Sequence, residues 1–186
     1  MKCSSGSPIL ELNVEPLRIV KVFVAGEGGV GKTTMIKRYT TGTFIPNTML
    51  TVGVEFHISK VPKHRITLQI WDLGGEDRFR FILPAYIRGA SGGLLVFDLT
   101  RFQTFKNLGE WMEIIQKNAP NTPLVIVGAK ADLEDKIAVQ EDVIKEFCDK
   151  YQVLCYFTAS AKTGQAVEDI FMKLAEVIAN RLDKIL

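Results

Sequence analysis

The chain has 186 residues, of which 47% are hydrophobic and 24% charged, with a formal net charge of +2. That length supports one domain with a sizeable core and no need of disulfide or metal support, and the composition is that of a soluble folded protein. So small a net charge gives no bulk reason to expect nucleic acid or an acidic membrane as a partner, so any partner has to be argued from sites.

Residues 1–16 mix Ser, Gly and two prolines with a short apolar patch (Ile9, Leu10, Leu12) and read as a flexible N-terminal arm. A single globular domain is expected over 17–186. "LRIVKVFVAG" is a β-branched run ending in glycine, and "KTTMIKRYTTG" turns as a helix that stops at Gly42. "VGVEFHISKV" and "ITLQIWDL" alternate around "PKHR", which predicts an antiparallel hairpin at a sheet edge. Three more apolar strands follow, "GGLLVFDL", "PLVIVGA" and "VLCYFTA", spaced by helix-patterned segments around 102–118, 139–150 and 167–182. Continuous apolar strands between amphipathic helices imply a mainly parallel sheet covered on both faces, with its ligand at the carboxyl ends of the strands.

The three cysteines, Cys3, Cys148 and Cys155, lack paired ligand spacing; this argues against a disulfide framework or zinc site and favours a reducing compartment. No run reaches the roughly 18 to 20 apolar residues that span a bilayer. The start lacks a secretory apolar segment and a glycine at position two, and the last residues hold no cysteine for prenylation. A cytoplasmic protein with no visible lipid anchor is the expectation.

The first strand-end loop, "GEGGVGKT" from Gly26 to Thr33, has the spacing of a phosphate-binding loop. Its glycines let the backbone curl and aim the amide N–H groups of Glu27, Gly28, Gly29, Val30 and Gly31 inward, and the helix that follows, through Thr34, adds its positive end. Lys32 would reach the β and γ phosphates, and the Thr33 hydroxyl would ligate magnesium. A loop of this kind serves ATPases, nucleotide kinases and GTPases alike.

Two later strand ends narrow the choice. "PLVIVGA" runs into "KAD", Lys130 to Asp132, and "VLCYFTA" runs into "SAK", Ser160, Ala161 and Lys162. With these, residues 17 to about 182 resemble the small GTPases of the Ras superfamily, and "TVGVEF", "YIRGASGGLLVFDLT" and "SAKTGQAVEDIF" resemble its Rab branch most closely. The resemblance implies a three-layer α/β fold, a six-stranded mainly parallel sheet with one antiparallel edge strand. It implies a monomeric GTP-binding switch that uses Mg2+ with GTP or GDP, hydrolyses GTP, and meets effectors, exchange factors and activating proteins at its switch segments.

By the same resemblance Asp132 takes two hydrogen bonds from guanine, Lys130 lays its stem along the base, the Ala161 N–H meets the guanine carbonyl, and Phe44 packs on the ring. Adenine would offer Asp132 an acceptor where it requires a donor. The family has Asn where Ala129 stands, which removes one base contact at a cost of about 1 to 3 kcal/mol. Thr51 matches the threonine that binds magnesium and senses the γ-phosphate, Asp72 the carboxylate that holds magnesium through water, and the Gly75 N–H the γ-phosphate contact. Phe56, Trp71 and Tyr86 match an aromatic effector cluster.

Glu76 stands where the family has the glutamine that orients attacking water. An ionised Glu accepts but cannot donate. Repulsion from a phosphate charge ~4 Å away, at an effective dielectric near 20, is about 4 kcal/mol and favours a protonated form that could donate again. The sign of its effect on hydrolysis stays open, and pH dependence is expected. "DLGG", Asp72 to Gly75, departs from the Rab "DTAG" and resembles the Arf branch; Gly74 is expected to loosen the loop. Arg78 and Arg80 read as surface ion pairs, and no arginine stands out as supplied in cis to the reaction. The leading reading is a slow GTP-dependent switch. A guanine-nucleotide scaffold that no longer cycles and an ATP-using phosphate-loop enzyme are the alternatives.

Overall fold

The computed structural model describes residues 17–46 and 49–184. The arm read at 1–16 lies outside them. The β-branched run Arg18–Ala25 forms β1, which ends at the glycine loop and passes into α1, Lys32–Thr41. The expected hairpin is β2, Val54–Val61, and β3, Ile66–Leu73, in antiparallel register with Phe56 opposite Trp71 and Glu55 opposite Asp72. Its link is a 3-10 turn, Pro62–His64, closed by Arg65 at φ 54°. After a further 3-10 turn, Asp77–Ile82, come α2, Leu83–Ile87, and β4, Gly92–Asp98.

The sequence predicts one helix over 102–118. The structure breaks it at Asn107 into α3, Phe102–Lys106, and α4, Leu108–Asn118. Asn107 has short-polar chemistry that favours helix ends over interiors, and its side chain is drawn elsewhere, as described below. Next come β5, Leu124–Ala129, then α5, Glu141–Tyr151, β6, Cys155–Ala159, and the long α6, Val167–Asp183.

The strand order is β2-β3-β1-β4-β5-β6, with every neighbouring pair parallel except β2 and β3. β2 is therefore the antiparallel edge strand that the hairpin pattern predicts. Alternation along β1 divides the core: Val20, Val22 and Val24 pack toward α1 and α6, whereas Phe23 and Ala25 pack toward α2, α4 and α5 around Trp111. On the first side Tyr39 of α1 stacks on Phe171 of α6, with ring centroids 4.0 Å apart. β4 and β5 are buried along their whole length, as strands covered on both faces must be. This brings the carboxyl ends of β1, β3, β4, β5 and β6 to one rim of the sheet.

Candidate functional site

The loop from Gly26 to Gly31 leaves β1 under tight constraint. Gly26 has φ 134°, and a side chain there would collide with the Val96 carbonyl of β4, so this turn requires glycine. Lys32, the first residue of α1, is buried and donates to the carbonyls of Gly26 and Glu27 at 2.8 Å each. Burial pulls its ammonium from 10.5 down to about 8; the charges of Asp72 and Glu27 oppose that shift, and Arg101 adds to it.

At the end of β3, Asp72 is fully buried on the α1 side of the sheet. Its Oδ2 accepts from the Thr33 hydroxyl at 2.5 Å and the Thr51 hydroxyl at 3.4 Å, and the two hydroxyls lie 2.7 Å apart. Its Oδ1 is buried and takes no hydrogen bond among the described residues. Burial raises the Asp72 pKa, while the Thr33 bond and the Lys32 charge pull it down. Two hydroxyls and a carboxylate with an orphaned oxygen form an all-oxygen set suited to Mg2+, which keeps part of its water shell. Thr33, Thr51 and Asp72, read separately from the sequence, are thus brought together.

A cavity of about 40 Å3 lies over the loop, lined by Gly28, Gly29, Lys32, Thr33, Thr51, Gly75 and Glu76 among others. Beside it a second cavity of about 300 Å3 is lined by Val30, Phe44, Ile45, Ala129, Lys130, Asp132, Ala161 and Lys162. Gly31 and Thr34 line both. Ser160 donates to Asp132 Oδ1 at 2.6 Å, and Lys162 stands 3.9 Å from Oδ2, so the carboxylate is pre-aimed. Phe44 belongs to neither hydrophobic core cluster and faces this cavity instead. Lys130, at φ 67°, anchors its ammonium on Asp98 Oδ2 at 2.7 Å, which leaves the stem along the cavity wall. The Ala129 methyl lies 3.9 Å from the point where a Gly31 side chain would begin. It faces the loop and has no donor to offer.

Glu76 is partly exposed and ion-pairs with Arg78, while its Cγ lies near the loop at Gly28. Arg80 ion-pairs with Glu110 and sits 5.4 Å from the Trp111 ring centre, so both arginines serve surface pairs as expected. Gly74 departs from its expected role as a loosener. Its N–H donates to the Gly53 carbonyl at 2.7 Å, and a Cβ there would stand 2.8 Å from the carbonyls of Gly53 and Thr51. Gly75 lies so close on the Glu27–Gly28 peptide that a side chain would collide with it. Close backbone packing explains this glycine pair.

Phe56, Trp71 and Tyr86 form a continuous aromatic row, with centroids 5.2 Å and 5.3 Å apart, and Phe56 is 45% exposed. Three residues whose contacts brace the loop and its surroundings were missed from the sequence. Asp98, at the end of β4, is buried and joined to Lys130, Thr100 and Arg101. Burial raises its pKa, but the bonds from Lys130 and Thr100 outweigh that and leave it below the usual carboxylate range. Arg101 reaches the Gly28 carbonyl at 3.1 Å. Asn107 donates to the Glu27 carboxylate, which accounts for the helix break there. Only Asp98 carried a signal, as a lone carboxylate closing an apolar strand.

Fold and site together define a phosphate-loop protein with a cluster of two hydroxyls and a carboxylate at the loop and a cavity of about 300 Å3 beside it. The Ras family model matches residues 21–180. Ras-related protein Rab-27B of Homo sapiens is 39% identical over 180 residues, covering 89% of this chain and 82% of that protein. Ras-related protein RABE1e of Arabidopsis thaliana is 40% identical over 168 residues, covering 88% and 77% respectively. The chain belongs to the Ras family, among its Rab-related small GTPases, and is a GTP-binding protein of that class. Among the described residues, no helix is long and apolar enough to cross a membrane.

Two outcomes follow from this geometry. Phosphates should restore the depressed Lys32 pKa, so nucleotide binding takes up a proton above pH 8 and affinity falls by up to about tenfold per further pH unit. Calorimetry in buffers of different ionisation enthalpy checks this: most of one proton is absorbed at about pH 8.5 and almost none at about pH 7. Gly74→Ala must push the Thr51 and Gly53 backbone outward, an overpacking of about 1 to 3 kcal/mol. Magnesium-dependent retention of GTP should then weaken by roughly tenfold, measured as release of a fluorescent analogue, while GDP release changes little.

Proposed function

We propose that the protein is a guanine-nucleotide switch that hydrolyses GTP slowly and binds a protein partner in its GTP state. The observation that carries this is the pair of adjoining cavities, which share Gly31 and Thr34, with Asp132 at the base end and Thr51 and Gly75 at the phosphate end. A purine ring fits between Phe44 and the Lys130 stem, and Asp132, already oriented by Ser160, accepts from guanine N–H groups. The loop N–H groups and Lys32 hold the phosphates. Thr33, Thr51 and Asp72 would hold Mg2+, which when bound would supply charge neutralisation at the phosphates.

Hydrolysis consists of attack of a water oxygen on the γ-phosphorus, cleavage of the bond to the β–γ bridging oxygen, and departure of GDP with that electron pair; the proton of water passes to phosphate. Gly75 and Thr51 touch the γ-phosphate and report its loss. Thr51 and Gly74 meet through backbone contacts, so release of one switch segment releases the other. Glu76 stands near Gly28 but is tied to Arg78 and lacks a donor for water, which favours a low intrinsic rate. The aromatic row runs from Phe56 and Trp71 on the hairpin to Tyr86 on α2 and suits a protein partner. Exchange and activating proteins would act at the same segments, on a monomer working in the cytoplasm. The Glu76–Arg78 pair together with the Ala129 methyl favours the second reading, a guanine-nucleotide scaffold that no longer cycles.

Purified protein loaded once with GTP should release its γ-phosphate completely but slowly in a single turnover; no release with GTP retained would establish the scaffold instead. Calorimetry should give GTP affinity well above that for ATP, and equal affinities would remove Asp132 from base recognition. Ala129→Asn restores a polar group facing the loop and base, and should raise GTP affinity by roughly ten- to a hundredfold with no gain for ATP.

A further inference from the structure

The chain carries an arginine at the rim of its phosphate loop that none of the roles above uses. Arg101 lies three residues beyond β4 on the turn into α3. Its Nε donates to Asp98 Oδ2 at 2.9 Å and its Nη2 to the Gly28 carbonyl at 3.1 Å. These contacts use two of the five N–H donors of the guanidinium. Asp98 is buried and is itself fixed by Lys130 and Thr100, so the arginine is held by a rigid carboxylate although its own side chain is 46% exposed.

The placement matters more than the bond. Nη2 lies 3.8 Å from the point where a Gly29 side chain would begin, and Glu76 Cγ lies 3.9 Å from the equivalent point at Gly28. Arg101 and Glu76 therefore flank the two glycines from different segments, and Leu50 Cδ2, 3.9 Å and 4.0 Å from the same two points, lies between them. Arg101 is also near enough to Lys32 for its charge to depress that ammonium.

Resting on the switch reading above, we propose that Arg101 acts in cis on bound GTP, its guanidinium meeting the β–γ bridging oxygen as charge develops there. When the water oxygen bonds to the γ-phosphorus, the bridging bond breaks and its electron pair stays on the GDP oxygen; Arg101 donates to that oxygen and itself neither gains nor loses a proton. A planar, always-charged group with paired donors suits this task. Removing such a group typically lowers rates by a hundredfold or more where it is fully engaged. Here Arg101 shares its donors with Asp98 and Gly28, so an effect of at least about tenfold is expected.

The test uses the full chain and two variants, Arg101→Ala and Arg101→Lys, with folding checked by thermal melting. Arg101→Ala should slow single-turnover γ-phosphate release by at least about tenfold while GDP affinity stays within roughly twofold, and Arg101→Lys should recover part of the rate. Titration of the GDP-bound protein with aluminium fluoride, without any partner protein, reads the transition-state contact directly. Wild type should form the complex, and Arg101→Ala should not. If Arg101→Ala weakens GDP and GTP equally and leaves hydrolysis unchanged, Arg101 is only a clamp on the loop and the proposal is overturned. If the wild type binds no guanine nucleotide, the switch reading fails and this one with it, an outcome distinct from either result with the variants.

Discussion

A buried ammonium beside a buried carboxylate governs this site. Lys32 and Asp72 sit on the same side of the sheet, both almost fully withdrawn from water, and burial pushes the two groups toward neutrality from opposite directions. Their mutual attraction offsets only part of that cost, as is usual for buried charge pairs. Lys32 is otherwise held by two backbone carbonyls, and one oxygen of Asp72 has no donor among the described residues. Phosphate oxygens for the lysine and a magnesium water shell for the aspartate would satisfy both at once. Nucleotide binding in this protein is therefore in part the relief of a strain that the fold itself creates.

That relief reaches the moving parts through short backbone distances. Thr51 joins the Asp72 cluster by its hydroxyl, and Gly74 lies under the Thr51 and Gly53 carbonyls. Gly75 rests on the loop peptide that Lys32 also grips. The two switch segments and the phosphate loop thus touch through main chain, where no rotamer change can absorb a displacement. A bulkier contact would give a softer coupling. Close approach of glycines makes the site respond as one unit, which is the physical requirement of a two-state element.

Much of this was legible before any coordinates. The glycine loop, Lys32 and Thr33 are local to one strand end and read from spacing, whereas Asp72, Asp132 and Ser160 came into view through the resemblance to the small GTPases. The alternation of β2 and β3 likewise fixed the antiparallel edge. What escaped was chemistry carried by contacts between distant segments. Asn107 breaks a helix because it answers Glu27, 80 residues away, and helical periodicity carries no trace of that bond. Gly74 looked like a source of motion because a single sequence shows the missing side chain but not the backbone that occupies its space. Arg101 was passed over for Arg78 and Arg80, which are nearer Glu76 in sequence but engaged at the surface.

The departures of this chain from its relatives' pattern act on different steps of one cycle, so their consequences combine rather than cancel. Ala129 faces the loop with a methyl group, and loss of one buried contact, about 1 to 3 kcal/mol, falls on GTP and GDP alike because both carry the same base. On the proposed reading that loss would shorten nucleotide residence without favouring either state. Glu76 and Arg101 both lie beside the phosphate loop, at Gly28 and Gly29, and on the proposed reading would bear on how long the GTP state lasts. On the proposed reading an ionised Glu76 offers water no donor, whereas Arg101 brings a cation to the phosphates. On that reading a weaker hold on the base and an internal cation would both move timing from partner proteins into the chain itself. The aromatic row of Phe56, Trp71 and Tyr86 includes none of these three positions, so on the proposed reading recognition of a partner would persist while the clock that limits it is reset.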